Sequence, residues 1–435
     1  MRIIHKQIEV QKYPKDKSLQ FHFGEIVQSK FLDESLTPLR FAVTNSINYE
    51  NYICEVSAIE NYAPYFSWPH INIFRFRKRL FDNAEKFNVA MAIPTGLGCS
   101  IGGHAGDATP AARLLASVCD TLITHPNVVN ASDINEMADN TLYVEGSVLS
   151  RLLMGTIGLE RVRSNKILAL VEQNEFSDYA VNAVNAARAT LGIDCDLKFF
   201  DLGDFKMITH YAESGSAVGE VQGIGDFLSM LMKLNHYDAF AITTKIESPI
   251  GTNKEYFYDD YGVNPWGGVE AMLTHAVSTA INKPTAHSPM LESKEVENEN
   301  YGIVAPRKAA EVMSKSFLHC VLKGLHKAPR IVTDASLFNS NNVLSAKDIS
   351  CLVIPDQCLG LPTLAAMDQG IPIIAVKKNN NIMRNDLHDF HKYMSPGKLI
   401  YVGNYLEAAG VISALKNGIS PESTKRNIPN ITEIK

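Results

Sequence analysis

Five short runs of uninterrupted apolar residues set the tightest limit on how this chain can fold. They are residues 88–93 (NVAMAI), 166–171 (KILALV), 239–243 (AFAIT), 349–354 (ISCLVI) and 371–376 (IPIIAV). A strand with one face in water alternates apolar and polar side chains. These runs do not, so each predicts a strand covered on both faces, as in a parallel sheet flanked by helices. Three strand–loop–helix–strand units resemble one another. In the first, the strand ends at Pro94, a glycine-rich loop follows, Thr109-Pro110 opens a helix, and residues 121–126 (TLITHP) return. In the second, Asn264-Pro265 opens the helix and residues 283–289 (KPTAHSP) return. The third runs from Pro355 through DQCLGL to Pro362 and returns at 371–376. Proline suits the first helical position because the N–H it lacks would have no partner there, and Thr or Asn before it is a good N-cap. The expected fold is therefore α/β and Rossmann-like: a mostly parallel sheet with helices on both faces.

Residues 1–85 read differently. Alternating, aromatic-rich runs at 19–27, 39–43 and 52–59 predict strands joined by polar turns, and so a small N-terminal β-rich (α+β) domain. The 435 residues suggest two or three domains. An α/β domain is expected over 86–419, divisible into lobes at 86–235 and 236–419, followed by a polar tail at 420–435.

Composition narrows the function classes. A net charge of −6 and the lack of any dense Lys/Arg cluster argue against nucleic acid as a partner. The N-terminal MRIIHKQIEV has no apolar leader and no stretch approaches a membrane span in length, so a cytoplasmic protein without a membrane partner is expected. The seven cysteines are scattered without a C-x-x-C pair, and no His pair has metal-ligand spacing, so neither a disulfide framework nor a metal site is expected. Aromatic residues crowd 47–81, which points to subunit or domain contacts and to a homo-oligomer.

The densest chemical signal is Gly96, Gly98, Gly102, Gly103, Gly106 and Asp107, just before Thr109-Pro110. Glycines let backbone N–H groups approach a ligand, and a helix N-terminus adds orphan donors and a positive dipole. The combination suits an anion, although Asp107 argues against a bare phosphate. The spacing is neither the dinucleotide fingerprint nor a P-loop. The same glycines also suit a sharp turn packed tightly between helix and sheet. Asn264 opens the matching helix and joins the candidate ligand-binding set. His125 and His287 each end a strand beside a proline, and Glu172 follows a strand, so these are the candidate acid–base groups. His104, His275, Glu145, Glu270 and Glu407 are lesser candidates. Cys358 lies past a strand near the Pro362 helix N-terminus, where a thiolate is favoured, and Cys99 lies in the glycine loop. Residues 213–225 (ESGSAVGEVQGIG) suit a mobile loop over the site or a linker.

From residue 88 to about 419 the chain resembles a family of mostly cyanobacterial and plant proteins catalogued as a domain of unknown function. The resemblance is carried by AIPTGLGCSIGGHAGDATPAARLLASVCDTLITHPNVVN (92–130), LYVEG (142–146), AARATLGID (186–194), GVNPWGGVEA (262–271), PTAHSP (284–289), CVLKGLHKAP (320–329), GIPIIAV (370–376) and YLEAAGVISAL (405–415). It implies one continuous domain and brings no reaction, cofactor or catalytic residue. Residues 359–376 also resemble the sugar-nucleotide half of two-domain glycosyltransferases. The residues themselves lead to the expectation of an enzyme acting on a small anionic metabolite, carboxylated or phosphorylated and in one version nucleotide-linked. Its cofactor and reaction class stay open. The alternatives are a cofactor-independent cysteine racemase, isomerase or lyase, and a non-enzymatic ligand sensor or scaffold.

Overall fold

All five continuous apolar runs form strands of parallel sheets. The computed structural model describes residues 1–12, 18–32, 34–47, 50–63, 66–69, 71–130, 136–174, 177–248, 256–258, 262–290, 301–314, 316–395, 397–428 and 430–431. Strands Leu399–Val402, Ile373–Val376, Ile349–Pro355, Asn88–Met91, Thr121–Thr124 and Thr141–Tyr143 lie side by side in that order, every neighbour parallel. Strands Cys195–Phe200, Ile167–Glu172, Ala239–Thr244 and Thr285–Pro289 form a second, four-stranded parallel sheet. Its chain is inserted between the third and fourth strands of the first. Numbered within each sheet, the orders are 6-5-4-1-2-3 and 2-1-3-4. The first sheet therefore reverses its direction of growth between Asn88–Met91 and Ile349–Pro355, the kind of point at which open α/β sheets leave a crevice. Burial explains the missing alternation: every residue of Asn88–Met91, Thr121–Thr124, Ala239–Thr244 and Ile373–Val376 is buried.

Helices Thr109–Ala116 and Tyr405–Lys416 pack together over the larger sheet, and Gly146–Leu153 packs on Leu361–Gln369. Helix Gly267–Ile281 is the hub. It touches the four-stranded sheet, Gly146–Leu153 and a third sheet. That third sheet is antiparallel, in the order Lys206–Tyr211, Ala217–Gln222, Ile3–Gln11, Asn51–Glu60, Leu36–Asn45, Leu359–Gly360.

Four expectations change here. The first 85 residues do not close a sheet of their own, because their strands are completed by segments from 206–222 and 359–360. The 86–235 and 236–419 lobes share one sheet, because Ala239–Thr244 pairs with Ile167–Glu172. Residues 19–27 are not a strand but part of helix Leu19–Leu32. Its buried Leu19, Phe23, Val27 and Phe31 recur every four residues, a helical spacing that the local FHFGEIV alternation disguises. Residues 213–225 are not a loop over a site, since Ala217–Gln222 is an inner strand of the antiparallel sheet and helix Ile224–Met232 follows. In the tail, Pro421–Thr424 forms a 3-10 turn and nearly all the described residues are exposed. Among the described residues no helix is long and apolar enough to cross a membrane.

Candidate functional site

Where the two parallel sheets meet, their strands end on a common cavity of about 220 Å³. Thr95 comes from the segment after Asn88–Met91, His125 directly follows Thr121–Thr124, and Glu145 follows Thr141–Tyr143. From the four-stranded sheet come Ile246, just after Ala239–Thr244, and His287 in Thr285–Pro289. Helix Gly267–Ile281 adds Glu270, Thr274 and His275, and the short helix Ala309–Met313 adds Glu311.

His125 is fixed in one tautomer. Its Nε2 accepts the Ile93 N–H at 3.1 Å, so in the neutral ring the proton sits on Nδ1. Burial pushes its pKa down to about 4, despite the opposing pull of the Glu145 carboxylate. The ring is therefore a neutral N–H donor at physiological pH.

Glu145 caps helix Gly146–Leu153. One oxygen accepts the Ser147 N–H at 2.8 Å and the Ser147 hydroxyl, and the other accepts the Thr274 hydroxyl at 3.2 Å. His275 Nδ1 lies 2.5 Å from Oε1. Burial pushes the Glu145 carboxyl up, but the charge and hydrogen bonds of His275, with those of Ser147, outweigh it and hold the carboxyl at about 2.

His287 is pinned at Nε2 by the Thr244 hydroxyl at 2.8 Å, and its buried Nδ1 lies 3.4 Å from Glu270 Oε2 without a hydrogen bond. The Thr244 hydroxyl also donates to Met207 Sδ at 3.0 Å, and Thr244 and Glu270 thus bracket the two ring nitrogens of His287. His287 and Glu270 form a carboxylate–imidazole pair at the wall of the cavity.

A third group joins the glycine loop to the cavity. His104 Nδ1 contacts the Tyr256 hydroxyl at 2.8 Å, and that hydroxyl donates to Glu311 Oε1 at 3.0 Å. The Ala105 N–H donates to the same Glu311 oxygen at 2.9 Å. Burial pushes the Glu311 carboxyl up to about 7, so it can hold or release a proton near neutrality.

The glycines do other work. Gly96, Gly98, Gly102, Gly103, Gly106, Asp107 and Thr109 are absent from the lining, although Thr95, His104 and Ala105 of the same loop belong to it. A Cβ on Gly96 would meet the Ala217 carbonyl at 2.5 Å, one on Gly102 the Ile93 side chain at 2.8 Å, and one on Gly103 the Cys99 carbonyl at 2.6 Å. Gly98 lies against Val263, and Gly106 has a φ of +75°. Asp107 accepts the Gly102 N–H at 2.6 Å and pairs with Arg307 at 2.7 Å, while Arg307 also holds the Cys99 carbonyl. The loop is thus folded on itself and locked from outside.

Thr109 is the first helical residue rather than the cap, which is Ala108, and its buried hydroxyl has no partner among the described residues. Asn264 reaches the lining, but it is not the cap of the following helix. That helix is capped by Trp266, whose N–H the Asn264 side chain accepts at 3.0 Å. Glu172 lies outside the lining, where its carboxylate accepts the Lys245 N–H at 2.8 Å and burial raises its pKa. Glu407 is also outside, capping its own helix through the Gly403 N–H.

Cys358 contradicts the expectation of a reactive thiolate. It is 2% exposed, and the neighbouring Cys99 and burial push its pKa well up, so the helix N-terminus beside it does not ionise it.

Glu311, Thr95 and Asn127 were not singled out by the sequence. Asn127 deserved notice beside His125, since its amide donates to the Ile93 and Gly102 carbonyls at 2.8 Å and ties the loop to the sheet. Glu311 stands in a five-residue helix too short to show a periodic pattern. Among the described residues no three His, Cys, Asp or Glu side chains are grouped to hold a metal ion, and no lining residue is Lys or Arg.

Residues 88–425 match the family described as "Protein of unknown function (DUF3326)". The chain is 31% identical over 339 residues to a protein of Synechococcus sp. named an uncharacterized lipoprotein, a match covering 76% of this chain and 91% of that relative. No solved structure matches. The matched span runs from the first strand of the larger parallel sheet to past its last helix and includes every side chain of the cavity, so the chain belongs to this family of unknown function.

Proposed function

We propose that this chain is an enzyme that acts on a small molecule by proton transfer in the shared cavity. The observation that carries the reading is that the His287–Glu270 pair and a neutral His125 donor line one cavity, His125 just past one parallel strand, His287 within another and Glu270 on the hub helix. In this reading the Glu270 carboxylate takes or gives the proton, and His287, held between Glu270 and Thr244, stands behind it. His125 offers its Nδ1–H to the oxygen on which charge develops, a role for which a neutral imidazole is well suited. Glu311, titrating near neutrality, supplies or drains protons through Tyr256 and His104. We read both parallel sheets as Rossmann-like, on the support of their strand orders. The lining formed by the described residues holds no Lys or Arg, which supports an uncharged reacting end here and an anionic group elsewhere on the substrate.

The test is untargeted. Purified protein is incubated with a metabolite extract, and consumption is followed by mass spectrometry beside a Glu270→Gln variant of verified fold. The wild type should consume at least one metabolite, and the variant should do so about a hundredfold more slowly. No consumption by the wild type, or equal consumption by both proteins, would contradict the proposal.

A further inference from the structure

A second cavity of about 140 Å³ adjoins the first and shares Thr95, His125, Gly146, Ala271 and His275 with it. It is bounded by strand Leu36–Asn45 and by the segments that follow Asn88–Met91 and Ile349–Pro355, the two strands between which the larger sheet reverses. Its wall is largely apolar, with Leu39, Leu97, Leu149, Ile354 and Met383. Among its lining residues Arg40 alone is Lys or Arg.

Several observations set Arg40 apart. Strand Leu36–Asn45 carries a register shift at this point: Pro38 pairs with Ala58 and Arg40 with Ser57, so one extra residue is accommodated. Such bulges re-aim side chains and gather beside functional sites. Arg40 Nη1 donates to the Gly268 carbonyl at 3.1 Å, and that is the one side-chain hydrogen bond it makes among the described residues. It forms no ion pair among them. The acidic groups that act on it, Glu55 and Glu145, are already engaged, Glu55 by the Ser214 and Ser216 hydroxyls and Glu145 by His275. Arg40 lines the cavity and is partly exposed, and a guanidinium has five N–H donors, so those not given to Gly268 are open to a ligand. Helix Leu361–Gln369 also begins at this wall, adding positive potential from the same side.

We infer that this second cavity is the subsite for a carboxylic acid with a hydrocarbon body, whose carboxylate pairs with Arg40. One cation in an apolar wall suits a monoanion, and the planar guanidinium fork matches a carboxylate. The hydrocarbon lies against Leu39, Leu97, Leu149, Ile354 and Met383. This names the substrate class for the enzyme proposed above and rests on that reading for what happens at the other end, beyond His125.

The experiment is calorimetric titration of the full chain with hexanoate and with its uncharged counterpart hexanamide, so its outcome does not depend on turnover. Wild type should bind hexanoate about tenfold or more tightly than hexanamide, the discrimination expected of one charged hydrogen-bonded contact. Arg40→Met should remove the preference and Arg40→Lys should retain part of it. Leu149→Trp, which fills the cavity, should weaken both ligands. The inference is overturned if the wild type binds neither ligand, if it binds both equally, or if the preference survives Arg40→Met. Should Arg40→Met fail to fold, the wild-type preference and Leu149→Trp decide. Hexanoate binding without any metabolite consumption would uphold this subsite while removing the enzyme reading, and the reverse result would do the opposite.

Discussion

Replacing Gly268 with alanine is expected to destabilise the protein by about 3 kcal/mol or more, at the upper end of what overpacking costs. A Cβ at this position would stand 1.9 Å from the Ala217 carbonyl oxygen and 2.4 Å from its carbon. These are backbone atoms of an inner strand, so no rotamer change relieves the clash. The hub helix would have to lift off the antiparallel sheet, and with it Glu270, Thr274 and His275. Gly96 meets the same carbonyl from the other side, and its own carbonyl accepts the Ala217 N–H at 2.9 Å. The glycine loop and the hub helix are therefore clamped on one peptide unit. Gly418→Ala is the control, because its φ of +69° carries the same backbone strain as a loop glycine but nothing lies within 4 Å. It should cost only about 1 kcal/mol. Urea unfolding of the three proteins checks this, and equal midpoints for the two variants would mean the contact at Ala217 is not tight.

Glu145→Gln should cost about 3 kcal/mol at neutral pH, the upper end of what leaving buried hydrogen-bonding groups unsatisfied costs. The carboxylate accepts from Ser147 and Thr274 and faces His275, and a neutral amide cannot satisfy all of them. The pH dependence gives the sharper signature. The folded-state pKa of Glu145, about 2, lies below its ordinary value of 4.5. The stabilisation is therefore complete above about pH 4.5 and is lost as pH falls toward 2, when the folded protein must also take up the proton. The urea midpoint gap between wild type and Glu145→Gln should be wide at pH 7 and narrow at pH 3. A gap of constant width would show that the ionised Glu145 carboxylate is not its source.

The parts of the fold legible in the sequence were those where burial is symmetric. Runs such as AFAIT and ISCLVI hold one polar residue each, Thr243 and Ser350, without the alternation that one exposed face would require, and they became central parallel strands. His125 and His287 were legible for a related reason: each is a polar residue near a proline in the return strand of a unit, and His125 just past its strand and His287 within its strand both line the cavity. The helix Leu19–Leu32 was misread because Phe21 and Phe23 alternate with polar neighbours, although Phe21 is 48% exposed and only the four-residue spacing faces the core. The meaning of the glycine loop was not legible, because a glycine that admits a ligand and one that admits the Ala217 carbonyl look alike in sequence. Arg40 was invisible because its place at the second cavity comes from strands far apart in the chain and from its having no ion pair among the described residues.

The central claim is that ligands bind in the cavity between the two parallel sheets and not on the glycine loop. Crystals of the protein soaked with a library of small polar fragments test it most directly. Fragment density should gather between His125, His287 and Glu270, within hydrogen-bond distance of His125 Nδ1. Density gathered instead on the backbone of residues 96–106, with the cavity bare across the library, would contradict it.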